Sequence, residues 1–306
     1  MRTVRAVDEL RSALAPARRE GSTIGLVPTM GALHEGHLSL IRRARRECDA
    51  VVVSLFVNPA QFDERGDLER YPREERRDAE LAADAGADVL FAPSAEEVYP
   101  SGFATSVEVL GITERLEGAS RGAEHFRGVS TVVTKLLGMA LPDVAYFGQK
   151  DAQQLVVIRR LVADLNLPVR IQACPTVRER DGLAMSSRNA RLDASERSRA
   201  VALSEGLREA AQRAAAGERS AQALLEAACA AMLARGVEPE YLELVDPETL
   251  LPCERLEGET LLAVAARIGQ TRLIDNAILR PMHASSAIAG NAHPPSEQTL
   301  QRKAIA

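Results

Sequence analysis

Cysteine is scarce and scattered in this chain. Its four residues, Cys48, Cys174, Cys229 and Cys253, form no CxxC pair. That spacing excludes a zinc ribbon and offers no disulfide framework; it suits reduced thiols. Long apolar runs are missing too. None approaches the roughly 20 residues that a membrane span needs. Met1 to Leu14 is charged and short of apolar residues, so no secretory leader is expected. Basic excess is absent: 38 Lys and Arg stand against 43 Asp and Glu, a net charge of −5. This argues against a surface that grips nucleic acid, while leaving room for a local basic pocket. There is no GxxxxGK followed by Ser or Thr, no GxGxxG, no internal repeat and no heptad run. The expectation is a cytoplasmic protein without a nucleic-acid or membrane partner.

What is there is ordinary for a soluble globular enzyme: 306 residues, 46% hydrophobic and 26% charged. The length suits two domains. The chain is organised around Val27-Pro28-Thr29-Met30-Gly31-Ala32-Leu33-His34-Glu35-Gly36-His37-Leu38. A short apolar run, Ile24 to Val27, reads as a buried strand before it. Leu38, Leu40 and Ile41 open a helical pattern after it. Unpaired N–H groups and the positive dipole end of a helix N-terminus receive anions, and glycine lets backbone approach a phosphate. His34 and His37 read equally as surface histidines at a helix start. A zincin pair needs i and i+4 spacing, whereas here it is i and i+3.

Further strands are expected at Val51–Val57, Asp88–Ala92, Phe103–Leu110, Asp143–Phe147 and Val169–Val177. Helices are expected at Val7–Glu20, from the histidine loop to Cys48, within Asp67–Ala85, and over Val129–Leu141 and Gln153–Asn166. Two strands run into polar clusters, Asn58-Pro59-Ala60-Gln61 and Gly148-Gln149-Lys150-Asp151. Open parallel sheets bind ligands beyond such strand ends. Asn58-Pro59 reads equally as a simple turn. Glu117 to Gly128 is glycine-rich and aperiodic; it reads as a lid with Arg121 and Arg127 as anion clamps, or as a solvated loop. Met185-Ser186-Ser187-Arg188 places two hydroxyls and a guanidinium before a helix, where N-capping accounts for one serine.

Strand–helix alternation across Thr23 to Val177 predicts an α/β fold with a Rossmann-like doubly wound parallel sheet in residues 1–184. Ala-rich helices at Ala194–Ala216 and Arg219–Arg235, then strand patterns at Tyr241–Asp246 and Leu261–Leu279, predict a smaller α+β C-terminal lid domain over 185–280. The Ala, Ser, Pro and Gln-rich stretch 281–306 reads as a disordered tail.

Five ordered motifs carry a resemblance. Pro28 to His37, Phe56-Val57-Asn58-Pro59-Ala60-Gln61-Phe62, Tyr71-Pro72-Arg73, Phe147 to Asp151 with Gln153-Gln154, and Met185 to Asn189 closely resemble the signatures of pantothenate synthetases (pantoate–β-alanine ligases). The similarity runs from about Val4 to Leu279. It implies ATP-dependent joining of pantoate to β-alanine through a pantoyl-adenylate, with release of AMP and pyrophosphate. It implies ATP and Mg²⁺ as requirements and a homodimer through the N-terminal domain. By resemblance, Met30, Gly31, Ala32, Leu33, His34, Glu35, Gly36 and His37 contact ATP. So do Gly148, Gln149, Lys150, Asp151, Val177, Met185, Ser186, Ser187 and Arg188. His34, His37, Lys150, Ser186, Ser187 and Arg188 are the expected catalytic groups. Gln61, Gln154, Asn58 and Arg121 are expected at the pantoate and β-alanine pocket, and Asp78 at the metal. Gly122 stands where proline often follows the arginine, and Ala152 where an aromatic often follows Asp151. The alternative, a nucleotidylyltransferase releasing an adenylylated product, is disfavoured by the two Gln pairs and the second domain.

Overall fold

The computed structural model describes residues 1–62, 68–69 and 71–281. The tail reading, save Pro281, and part of the Asp67–Ala85 stretch lie outside the described residues. Six strands form one parallel sheet: β1 (Arg2–Val4), β2 (Ile24–Thr29), β3 (Ala50–Leu55), β4 (Val89–Phe91), β5 (Val144–Gly148) and β6 (Arg170–Cys174), in the order β1-β4-β3-β2-β5-β6. Side chains alternate between the faces. Ile24, Leu26 and Val52 enter one core with Leu10 and Leu14 of α1 (Val7–Arg19). Val27, Val51 and Val53 enter the other with Ile41 and Ala44 of α2 (Glu35–Glu47) and Ala82 of α3 (Glu75–Asp84). A sheet buried on both faces needs such near-continuous apolar strands.

From β2 the chain winds one way through β3 and β4, while β5 lies on β2's other side. The crevice at such a reversal, beyond the strands' carboxyl ends, is where this architecture takes ligands. It is flanked here by the segment after Thr29 and the 3-10 turn Gln149–Asp151 that follows β5. A second, antiparallel sheet of β7 (Pro239–Val245), β8 (Thr260–Ile268) and β9 (Thr271–Leu279) packs with the Ala-rich helices Ala202–Ala215 and Ala221–Leu233 around its own core.

Three expectations are corrected. Phe103–Leu110 forms no strand. The edge of the sheet beside β4 is taken by the three-residue β1, and Val107 N–H bonds instead to Thr131 Oγ1 at 2.9 Å. Glu117–Gly128 is not an open loop. It folds into α4 (Glu117–Arg121) and the first turns of α5 (Ala123–Ala140). Two of its glycines serve close packing: a Cβ at Gly118 would sit 1.7 Å from Thr113 O, and one at Gly128 2.2 Å from Ala60 O, while Gly122 makes the left-handed turn (φ +84°) between the two helices. The Ala194–Ala216 helix is two, Ala194–Ala200 and Ala202–Ala215.

Candidate active site

Beyond Thr29, Gly31 (φ +90°) and Ala32 (φ +51°) turn the backbone outward before α2 begins. The left-handed region favours glycine, and at Gly31 a Cβ would also press to 3.0 Å of Asp78 Oδ2. Asp78, on α3 and only 1% exposed, holds this turn from beneath. Its two oxygens accept the N–H groups of Ala32 and Leu33, each at 2.8 Å. Asp78 is absent from the wall of the cavity between the sheet's switch point and the second sheet. Both of its oxygens are engaged with backbone, where a buried and a half-buried amide need acceptors. Among the described residues no group of three or more His, Cys, Asp or Glu could hold a metal.

His34 caps α2 and His37 lies one turn in, with ring centroids 4.1 Å apart. His34 N–H donates to His37 Nδ1 at 3.4 Å. The neutral His37 ring then carries its proton on Nε2, free to donate. Burial, and then the neighbouring His34, push the His37 imidazole down to about 3; burial, then Lys150, also lower His34. Both rings are neutral donors at pH 7. His34 lies over Gly36, where a Cβ would meet His34 Cε1 at 2.8 Å.

Opposite stands an amide pair. Asn58 Nδ2 donates to Gln61 Oε1 (3.0 Å) and Gly128 O (3.1 Å), and Asn58 Oδ1 accepts from Tyr99 OH (2.8 Å) and Ala60 N–H (3.2 Å). Asn58 thus spends its bonds on the protein and orients Gln61. His125 Nδ1 bonds to Gln61 O (2.8 Å) and its Nε2 to Arg121 Nη1 (3.1 Å). Arg121 donates by necessity, so the His125 proton lies on Nδ1. Gln153 Oε1 accepts Glu117 N–H (2.9 Å), while its Nε2 donates to Ile112 O and Arg115 O, fixing the start of α4.

Lys150 Nζ lies 3.8 Å from the exposed Asp151 carboxylate. Ser186 Oγ accepts Arg188 N–H at 3.2 Å, so it is the capping serine. Burial raises the phenol of Tyr71, which stands against Ser187.

These groups share one cavity of about 570 Å³. Met30, His34, Gly36 and His37 line it with Asn58, Gln61 and Arg121. Gly148, Lys150, Asp151, Gln154 and Val177 join them, as do Met185, Ser186, Ser187 and Arg188. Gly31, Ala32, Leu33, Glu35 and Gln149 are not on its wall. The Ala32 and Leu33 amides are held by Asp78, and Leu33 is core. Glu35 pairs with Arg42 outside, and Gln149 O accepts from Asn276. Sequence reasoning missed His125, Gln153, Tyr241, Arg272 and Asn276, all on the wall. Gln153 and His125 lie within singled-out stretches, but nothing local marks the three on the second sheet.

A doubly wound sheet with imidazole, ammonium and guanidinium donors at its switch point, facing uncharged amides across one cavity, defines an α/β enzyme that handles a phosphorylated nucleotide beside a small polar acid. The Pantoate-beta-alanine ligase family pattern matches residues 2–278. Pantothenate synthetase of Cereibacter sphaeroides (strain ATCC 17029 / ATH 2.4.9) is 57% identical over 274 residues, 89% of this chain and 98% of that one. The crystal structure of pantothenate synthetase from Thermus thermophilus superposes with a TM-score of 0.87 at 48% identity, covering 92% of this chain and all of that one. A Francisella tularensis pantoate–β-alanine ligase, complexed with β-γ ATP and β-alanine, has a TM-score of 0.76 at 35% identity, covering 91% and 97%. The chain belongs to the pantoate–β-alanine ligase family, whose known reaction is the ATP-dependent condensation of pantoate with β-alanine.

Proposed function

We propose that this cavity joins pantoate to β-alanine through a pantoyl-adenylate. The carrying observation is that His37, Lys150 and Ser187 line the same cavity as Gln61 and Gln154. In the first step a pantoate carboxylate oxygen bonds to the α-phosphorus of ATP. The bond to the α,β-bridging oxygen breaks, and pyrophosphate leaves with the electron pair. A carboxylate must approach a polyanion, so donors are needed where charge is greatest. His34, His37, Lys150, Ser187 and Arg188 supply them, with Ser186 holding the Arg188 backbone. Neutral imidazoles donate without needing a proton from solvent. Gly36, Gly148, Val177 and Met185 border the nucleotide, and Asp151 faces its ribose. Gln61 and Gln154 hold pantoate through its hydroxyls and carboxylate, with Asn58 and Arg121 as supports.

In the second step the β-alanine amine attacks the acyl carbon and AMP departs. The wall of α4 and α5 excludes water from the adenylate. The Francisella relative's ATP ligand and β-alanine support the two substrates. Mg²⁺ would enter with the nucleotide and offset the charge of its phosphates. We further infer that residues 1–184 bind substrates, that 185–280 act as a lid, and that the chain works as a cytoplasmic homodimer. Light scattering tests the dimer. Pantoate-dependent exchange of labelled pyrophosphate into ATP tests the function. Purified protein with Mg²⁺ should show it, and its absence would overturn the reading.

A further inference from the structure

The second sheet reaches into the cavity wall by adjacent residues of β9. Asn276, 5% exposed, donates from Nδ2 to Gln149 O (2.9 Å) and Lys150 O (2.8 Å). Asp275, 2% exposed, takes both arms of Arg178, Nη1 at 2.6 Å and Nη2 at 3.0 Å. Arg178 bridges Ala184 at the base of the Ser186–Arg188 loop, and Met185 N–H bonds back to Val177 O. Successive side chains leave a strand on opposite faces, so one strand reaches two loops. Both cation-bearing loops of the cavity wall are thereby tied to β9.

We propose that Asn276 is a positioning residue for the adenylate-forming step: from the second sheet it clamps the Gln149–Lys150 peptide and sets where the Lys150 ammonium meets the phosphates. The inference rests on the reading given under the proposed function. Lys150 sits on a short 3-10 turn that leads directly into the helix Ala152–Asp164, and the Asn276 amide is the side chain that grips two of its carbonyls, so the origin of the Lys150 side chain depends on that grip. A displacement of the ammonium near 1 Å is enough to weaken a step that relies on oriented charge. Once pyrophosphate has left, the amide-forming step makes less demand on that charge.

The test separates the half-reactions in Asn276→Leu, which keeps the side chain's size and removes both donors. Pyrophosphate exchange should fall about 10- to 100-fold with the KM for pantoate nearly unchanged. Amide formation from supplied pantoyl-adenylate and β-alanine should fall at least about tenfold less than exchange does. Asn276→Ser keeps one donor and should lie between. If Asn276→Leu does not fold, the Ser variant carries the comparison. Unchanged exchange, or equal losses in both half-reactions, overturns the proposal. Wild-type protein without pantoate-dependent exchange overturns the functional reading itself, a distinct outcome.

Discussion

Asp78 accepts the N–H of Ala32 at 2.8 Å across 46 residues of sequence, and the neighbouring Leu33 N–H with its other oxygen. Asp78→Asn keeps one acceptor and turns the other position into a donor against a buried N–H. The expected cost is about 1–3 kcal/mol of stability. Urea unfolding measures it. The Mg²⁺ concentration for half-maximal activity should stay as in wild type; a large rise with unchanged stability would favour the metal reading.

Gly36 lies against the ring of His34, and a methyl group added there would stand 2.8 Å from His34 Cε1. Gly36→Ala should raise intrinsic helix preference by about 1 kcal/mol. It should also push His34 out of place and lower pyrophosphate exchange about tenfold or more. Thermal melting and exchange kinetics on one preparation would show whether stability and activity part in this way.

Asn58 orients Gln61 and touches Gly128, Tyr99 and Ala60. Asn58→Ala should therefore raise the KM for pantoate more than it lowers kcat, while the KM for ATP changes little. It should also destabilise the fold by about 1–3 kcal/mol, because Gly128 O and Tyr99 OH lose a buried partner. Steady-state kinetics with each substrate varied would decide it.

His37 titrates at about 3 in the fold against roughly 6.5 when unfolded. Between those values the unfolded chain binds the extra proton, so the folded state loses stability as pH falls from about 6.5 toward 3. His37→Gln lacks that proton site. The stability of wild type relative to His37→Gln should decline over this range and level off above about pH 7. Chemical unfolding at a series of pH values reads the difference directly.

The large sheet was legible because buried parallel strands carry unbroken β-branched runs such as Val51-Val52-Val53. The short β1 was not, since Arg2-Thr3-Val4 has too few residues to show a period. Phe103–Leu110 misled because β-type residues report fitness for a pleat, not an available edge. Glu117–Gly128 misled because glycine marks close approach as readily as a turn, and only the packed neighbours Thr113 and Ala60 tell which.

By itself the sequence determined the junctions: which strand ends carry imidazole, ammonium or amide, since each follows an apolar run within several residues. Tertiary structure alone decided what supports them. Asp78 under Ala32 and Leu33, His125 behind Gln61 and Asn276 behind Lys150 come from segments 45 or more residues away. Local periodicity and propensity act over a turn or two of chain, whereas a buried N–H or C=O is satisfied by whichever group packing brings within about 3 Å.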